Sequence, residues 1–260
     1  MKKLVFLLSI LVLIGLTCSC SHHKFENTCQ CTPDPLSLDT VSPQQQELDS
    51  FYTLMAYAVV YKDWQQSADK LQSRGYNIGS VLVDSNNQVV NWGRNSVNTT
   101  MNESKHGEVM LMQSYLDNAK SFSLKGFTIY TTLEPCAMCS GMMKLTEVHR
   151  TVYGQTDPSY GKALERLQLN SSSCGGGYTP YPRTVISDKS PDPVSIEIDS
   201  AYAQHSQDHI TSFLATPDAE KLFKQASERF SNYLKAKFIK NQGIIDKAHI
   251  YLDSVPGKTE

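Results

Sequence analysis

His106 and Glu108 stand two residues apart, and further along the chain Cys136 and Cys139 form a Pro135-Cys136-x-x-Cys139 segment. One histidine and two cysteines are the ligand types of a catalytic zinc. Such a site takes three protein ligands and leaves a fourth position for water, whose pKa falls from about 16 to roughly 7. Pro135 fits the first position of a helix, which would put Cys136 and Cys139 one turn apart on one face, with the helix N-terminus favouring their thiolates. Glu108 is then a carboxylate beside the metal. It would take a proton from the water and return it to departing ammonia, as shuttle and not as ligand. Each piece alone has a blander use, since C-x-x-C also serves redox pairs and structural zinc sites. Together, with a strand-like run from Phe127 to Leu133 leading into Pro135, they supply the context that hydrolytic deamination needs.

The run Thr132-Leu133-Glu134-Pro135-Cys136-Ala137-Met138-Cys139-Ser140-Gly141 resembles the T-L-E-P-C-x-M-C-x-G segment of the cytidine deaminase-like superfamily, in its branch of tRNA adenosine deaminases, guanine deaminase and fungal-type cytosine deaminase. The resemblance covers roughly residues 45 to 165. It implies a three-layer α/β/α sandwich with a mixed five-stranded sheet and one zinc per chain, held by His106, Cys136 and Cys139, with Glu108 catalytic. It also implies that Asn95 contacts the base, that the backbone around Leu133 and Glu134 holds substrate, and that Asp157 belongs to a G-x-x-D-x-x-x-G turn from Gly154 to Gly161. Two departures stand out. Gly107 replaces the family's usual Ala, Val or Cys and is expected to loosen the ligand-bearing turn. The irregular stretch from Ser171 to Pro182 has no match.

The elements that must position these groups follow from hydrophobic period. Leu48, Phe51, Tyr52, Met55 and Val59 recur at helical spacing and give a first amphipathic helix. Val81-Leu82-Val83 and Val89-Val90 flank the turn-rich 84–87 and read as a hairpin. A helix from His106 to Ala119, a strand at 127–133, a helix from Pro135 and a strand from Arg150 to Gly154 alternate as helices covering a mixed sheet should. A helix at Lys162 to Leu169 precedes a last strand, for which the alternation of Val194, Ile196 and Ile198 with polar residues is the candidate. A closing amphipathic helix is marked by Leu222, Phe223, Ala226, Phe230, Tyr233 and Leu234. Lys235, Lys237 and Lys240 read as its solvated, dipole-favoured end.

Lys2 and Lys3 precede an apolar run from Leu4 to Leu16, too short to span a bilayer but right for a secretory signal. It ends in small residues leading into Cys18 and Cys20, either of which fits the lipidated cysteine of a bacterial lipoprotein. Residues 1–20 are thus expected to be a signal peptide, 21–44 a flexible tether, and 45–260 the deaminase domain, divergent from about 166. The expected location is a membrane-anchored lipoprotein facing the periplasm or the outside. His22, His23, Cys29 and Cys31 read as incidental ligands in the tether. Cys174, beside three glycines, reads as a loop residue, with pairing to Cys29 or Cys31 as the alternative.

A net charge of −2 over 260 residues lacks the basic footprint of a protein that grips a phosphate backbone. The expected substrate is therefore a free nucleobase, nucleoside or nucleotide. A deaminase acting on tRNA or other nucleic acid, including a secreted effector, is the alternative, and a catalytically silent zinc-stabilised binding domain is another. Nucleic acid and a second copy of the chain stay open as partners.

Overall fold

The computed structural model describes residues 41–205 and 209–258. The expected signal peptide, Cys18, Cys20, His22, His23, Cys29 and Cys31 lie outside the described residues. No helix among the described residues is long and apolar enough to cross a membrane.

Helix α1 (Pro43–Tyr61) begins earlier than expected, because Ser42 caps it by accepting from Gln45 N at 3.2 Å and Pro43 fits its first turn. Pro43 and Gln44 therefore belong to the folded part and not to a tether. The helix is not amphipathic. From Glu47 to Val60 nearly every residue is buried, since the sheet covers one side and later helices the other. Strands β1 (Gly79–Val83) and β2 (Val89–Arg94) form the hairpin. Helix α2 (Gly107–Ala119), β3 (Thr128–Leu133), α3 (Ala137–Leu145), β4 (Arg150–Gln155), α4 (Ala163–Leu167) and β5 (Ile186–Lys189) follow. The sheet order is β2-β1-β3-β4-β5, with β1 antiparallel to both neighbours and β3, β4 and β5 parallel. Two hydrophobic cores flank it: α2, α3 and α4 cover one face and α1 the other. This is the three-layer α/β/α sandwich with a mixed five-stranded sheet.

The last strand is β5, and the residues expected to form it are helical. Val194–Gln204 is helix α5, opened by Asp192, whose carboxylate accepts from Val194 N at 3.0 Å. Val194 and Ile198 are buried while Ile196 is 69 % exposed, so the apolar spacing that counts is four and not two. Helices α6 (Ile210–Phe213), α7 (Pro217–Ser231) and α8 (Gln242–Ser254) complete the layer over α1, with a short 3-10 turn at Ile239–Asn241. Phe51 stacks on Phe230 at 4.8 Å between ring centroids, and Tyr57 meets Phe223 edge-on at 4.6 Å, locking α7 to α1. Helix α7 stops before Tyr233 and Leu234, so the three lysines after it sit on a connecting segment and not on a helix end. Cys174 is disulfide-bonded, not a free loop thiol.

A buried ion pair fixes α1 to the sheet at the start of β4. Arg150 Nη1 donates to both carboxylate oxygens of Asp49 at 2.9 and 2.8 Å, and Tyr130 Oη donates to the same carboxylate at 2.8 Å. The opposite end of β3 and β4 is where the chemistry-bearing residues gather.

Candidate active site

His106 caps α2 and Cys136 caps α3, so both stand at helix N-termini, with Cys139 three residues into α3. Pro135 precedes this cap, two residues before the first helical position expected for it. Cys136 Sγ lies 3.7 Å from His106 Nδ1 and 3.7 Å from Cys139 Sγ, and Cys139 Sγ lies 3.6 Å from His106 Nδ1. A tetrahedral zinc with Zn–S near 2.3 Å and Zn–N near 2.0 Å separates two sulfurs by about 3.8 Å and a sulfur from a nitrogen by about 3.5 Å. The three side chains therefore fit zinc without rearrangement, and they are a cluster of metal-ligating type among the described residues. The Cys139 thiol, donating to Cys136, holds the latter down to about 4, while the same contact and burial push Cys139 up. The hydrogen bond with Cys136 raises His106.

Glu108 is buried in the first turn of α2, and burial raises its pKa. Its Oε1 accepts from Thr131 Oγ1 at 3.1 Å, and Thr131 accepts in turn from Ser80 Oγ at 3.1 Å. Its Oε2 lies 3.6 Å from Cys139 Sγ, on the ligand side. One oxygen is anchored to the sheet and the other faces the metal-ligand cluster, the arrangement expected of a shuttle.

Gly107 does not loosen this turn. A Cβ there would come within 3.0 Å of Gly93 O and 3.2 Å of Gly79 Cα, and one on Gly93 would overlap Gly107 O at 2.1 Å. The glycines let the start of α2 lie directly on the backbone of β1 and β2, which seats His106 and Glu108 over the sheet.

A cavity of about 290 Å³ opens on the cluster, with Asn95, Leu133, Glu134 and Asp157 on its walls beside His106, Glu108 and Cys136. Asn95 is fully buried; its Oδ1 accepts from the main-chain N of Tyr76 at 3.2 Å and of Val97 at 3.4 Å, which fixes the amide orientation. Its Nδ2 has no partner among the described residues. It is a buried donor without a partner beside the cavity.

Glu134 lines the cavity and also holds a loop in place. Its Oε2 accepts from Asp157 N at 3.1 Å and its Oε1 from Lys162 N at 2.8 Å, while its own N–H goes to Gln155 O at 2.8 Å. It staples the loop from 157 to 162, with its own N–H committed to β4. Asp157 closes that loop, its Oδ1 accepting from Ser159 N and Tyr160 N at 2.9 Å each.

Sequence reasoning missed Tyr76, Ile78 and Tyr160 on the cavity wall and, from α6, His209, Ile210 and Thr211. Tyr160 falls in the turn already singled out, but nothing in the sequence marks the α6 residues. Phe213 anchors that short helix in the core, and Asn77 Nδ2 donates to Leu214 O at 2.9 Å, tying the wall to the segment before β1.

The model of the cytidine and deoxycytidylate deaminase zinc-binding region matches residues 53–155, from α1 to the end of β4. Over 134 residues the chain is 31 % identical to tRNA-specific adenosine deaminase 2 of Xenopus laevis, a match covering 46 % of this chain and 76 % of that protein. It belongs to the cytidine deaminase-like superfamily. A second relative of this superfamily member is the tRNA-specific adenosine deaminase of Haemophilus influenzae, 30 % identical over 117 residues; the match covers 45 % of this chain and 64 % of the relative. Among solved structures, one from work on tRNA:A34 deaminases shares 25 % identity over 43 % of this chain and 78 % of its own, with a TM-score of 0.35. The chain is a member of a family of zinc-dependent hydrolytic deaminases, and its donor set suits zinc. Residues 156 onward, which carry α4 to α8 and part of the cavity wall, lie beyond the region matched by the family model.

Proposed function

We propose that this protein is a zinc-dependent hydrolase that replaces the exocyclic amino group of a nucleobase with oxygen and releases ammonia, and that its substrate is a free base, nucleoside or nucleotide. The observation that carries the substrate class is the wall formed by Ile210, Thr211 and His209, which encloses the cavity on a side that the family-matched region leaves to other parts of the chain. A cavity of about 290 Å³ is small even for a ligand site.

Zinc held by His106, Cys136 and Cys139 would supply a water acidified at its open position. Every other role falls to the chain. Asn95 Nδ2 donates to an acceptor atom of the ring and sets its orientation, while Leu133 provides an apolar floor. Glu108 Oε2 takes and returns the proton, with Oε1 held by Thr131 so that the carboxylate does not rotate away. Burial favours the protonated form of Glu108, which suits a group that must deliver a proton to the departing amine.

The printed names of the relatives favour a second reading, deamination of adenosine in tRNA. A base flipped out of a polymer would enter the same cavity. Turnover assays with zinc-loaded full chain separate the two: guanine, adenine, cytosine and their nucleosides against a tRNA anticodon stem-loop. Ammonia release from the small substrates supports the first reading; release from the RNA alone, with a steep loss of binding as salt rises, supports the second. We extend the proposal to location: an exported, lipid-anchored protein, on the strength of the Lys2–Cys20 segment.

A further inference from the structure

Between α7 and α8 the chain runs Leu234-Lys235-Ala236-Lys237-Phe238-Ile239-Lys240, and no Asp or Glu occurs from 232 to 243. Leu234 is 69 %, Phe238 39 % and Ile239 85 % exposed, and the three lysines beside them are exposed too. Single exposed apolar residues are ordinary, but three within six residues, interleaved with three cations, are a patch.

The segment is held firmly from beneath. The buried carboxylate of Glu47 accepts from Tyr233 Oη at 2.7 Å, Phe238 N at 3.2 Å, Asn241 Nδ2 at 2.7 Å and also Lys237 N. Gln242 accepts from Ala236 N at 2.8 Å and donates to Leu234 O at 2.9 Å. With the main chain committed inward, the apolar tips and ammonium groups are displayed outward at little further entropic cost.

Its position adds a second argument. Asn241 exchanges hydrogen bonds with Gln44, donating to its carbonyl at 3.0 Å and accepting from its side chain at 3.1 Å. The patch thus adjoins the point where residues 1–40 join the folded part. This end of α1 lies at the start of β4, where Asp49 meets Arg150, whereas the cavity lies at the far ends of β3 and β4.

We infer that the 234–240 segment is a docking surface for an anionic lipid bilayer, which seats the protein with its cavity facing away from the membrane. Lysines meet the negative headgroups while Leu234, Phe238 and Ile239 enter the interfacial layer. The inference is independent of which base is deaminated.

The test uses the full chain bound to vesicles of equal parts phosphatidylcholine and phosphatidylglycerol, the phosphatidylcholine brominated, with I239W and M101W as separate reporters; Met101 is 94 % exposed, on the loop leading to His106. The emission of I239W is expected to shift to the blue and be quenched, with M101W unaffected. Adding K235Q, K237Q and K240Q to I239W should lower the docking equilibrium constant about 100-fold. Absence of quenching at 239 in vesicle-bound protein, equal quenching at 101, or the same quenching on pure phosphatidylcholine would each overturn the inference. So would binding of single-stranded RNA that the lysine changes abolish, if I239W is not quenched on the vesicles.

Discussion

Thr131 Oγ1 donates to Glu108 Oε1 at 3.1 Å, so a residue in the middle of β3 sets the orientation of the carboxylate that α2 carries. Thr131→Val removes that donor while keeping the shape, and also strips Ser80 of its acceptor. We expect kcat to fall about tenfold, near 1.4 kcal/mol, with zinc content unchanged, and Thr131→Ser to restore most of the rate. Steady-state kinetics alongside metal analysis check this.

The contact between α2 and the β1–β2 hairpin makes a graded prediction. A Cβ on Gly93 would overlap Gly107 O at 2.1 Å, whereas one on Gly107 meets Gly93 O at 3.0 Å and gains helix propensity. Gly93→Ala should cost about 1–3 kcal/mol or more of stability, and Gly107→Ala clearly less, read as thermal midpoints of the two variants.

Glu134 holds two main-chain N–H groups of the loop that carries Asp157 and Tyr160 to the cavity. Glu134→Ala leaves those donors unpaired, at a cost of about 1–3 kcal/mol. The expected outcome is a raised KM and lowered thermal midpoint with full zinc occupancy; an unchanged KM would show that the loop does not shape the cavity.

Acid should loosen the 234–241 segment. Burial opposes ionisation of Glu47, but the hydrogen bonds from Tyr233, Lys237 N, Asn241 and Phe238 N outweigh it and hold the carboxyl below its usual range. A lowered folded-state pKa contributes stability above the unfolded pKa, and that contribution is lost as pH falls through the folded value. Unfolding midpoints followed from pH 7 downward should therefore drop for the native chain more steeply than for Glu47→Gln, which starts lower and lacks this dependence.

The His106–Cys136–Cys139 cluster and the placement of Glu108 beside it could be read directly because zinc-site chemistry demands fixed residue types at fixed spacings: His106 and Glu108 across one helix start, Cys136 and Cys139 across another. The sheet was legible up to β4 because β1, β3 and β4 are short segments rich in β-branched and aromatic residues between turns or helices. Val194 to Ile198 misled because Val194 and Ile198 satisfy periods of both two and four, and only the Asp192–Val194 hydrogen bond and the exposure of Ile196 decide between them. The loop contacts of the Glu134 side chain had no signal, because its partners, Asp157 N and Lys162 N, lie more than twenty residues away in sequence. The α6 wall had no signal at all, since His209, Ile210 and Thr211 reach the cavity only through tertiary packing of Phe213 and the Asn77 contact.

In the proposed reaction Glu108 moves the proton while His106, Cys136 and Cys139 hold the metal. Zinc content and ammonia release of Glu108→Gln, measured on whichever base the native chain turns over, test it most directly. The expected result is one zinc per chain, a native unfolding profile and a rate lower by about 10² to 10⁴-fold. Native-like turnover, or loss of zinc from a folded variant, would contradict it.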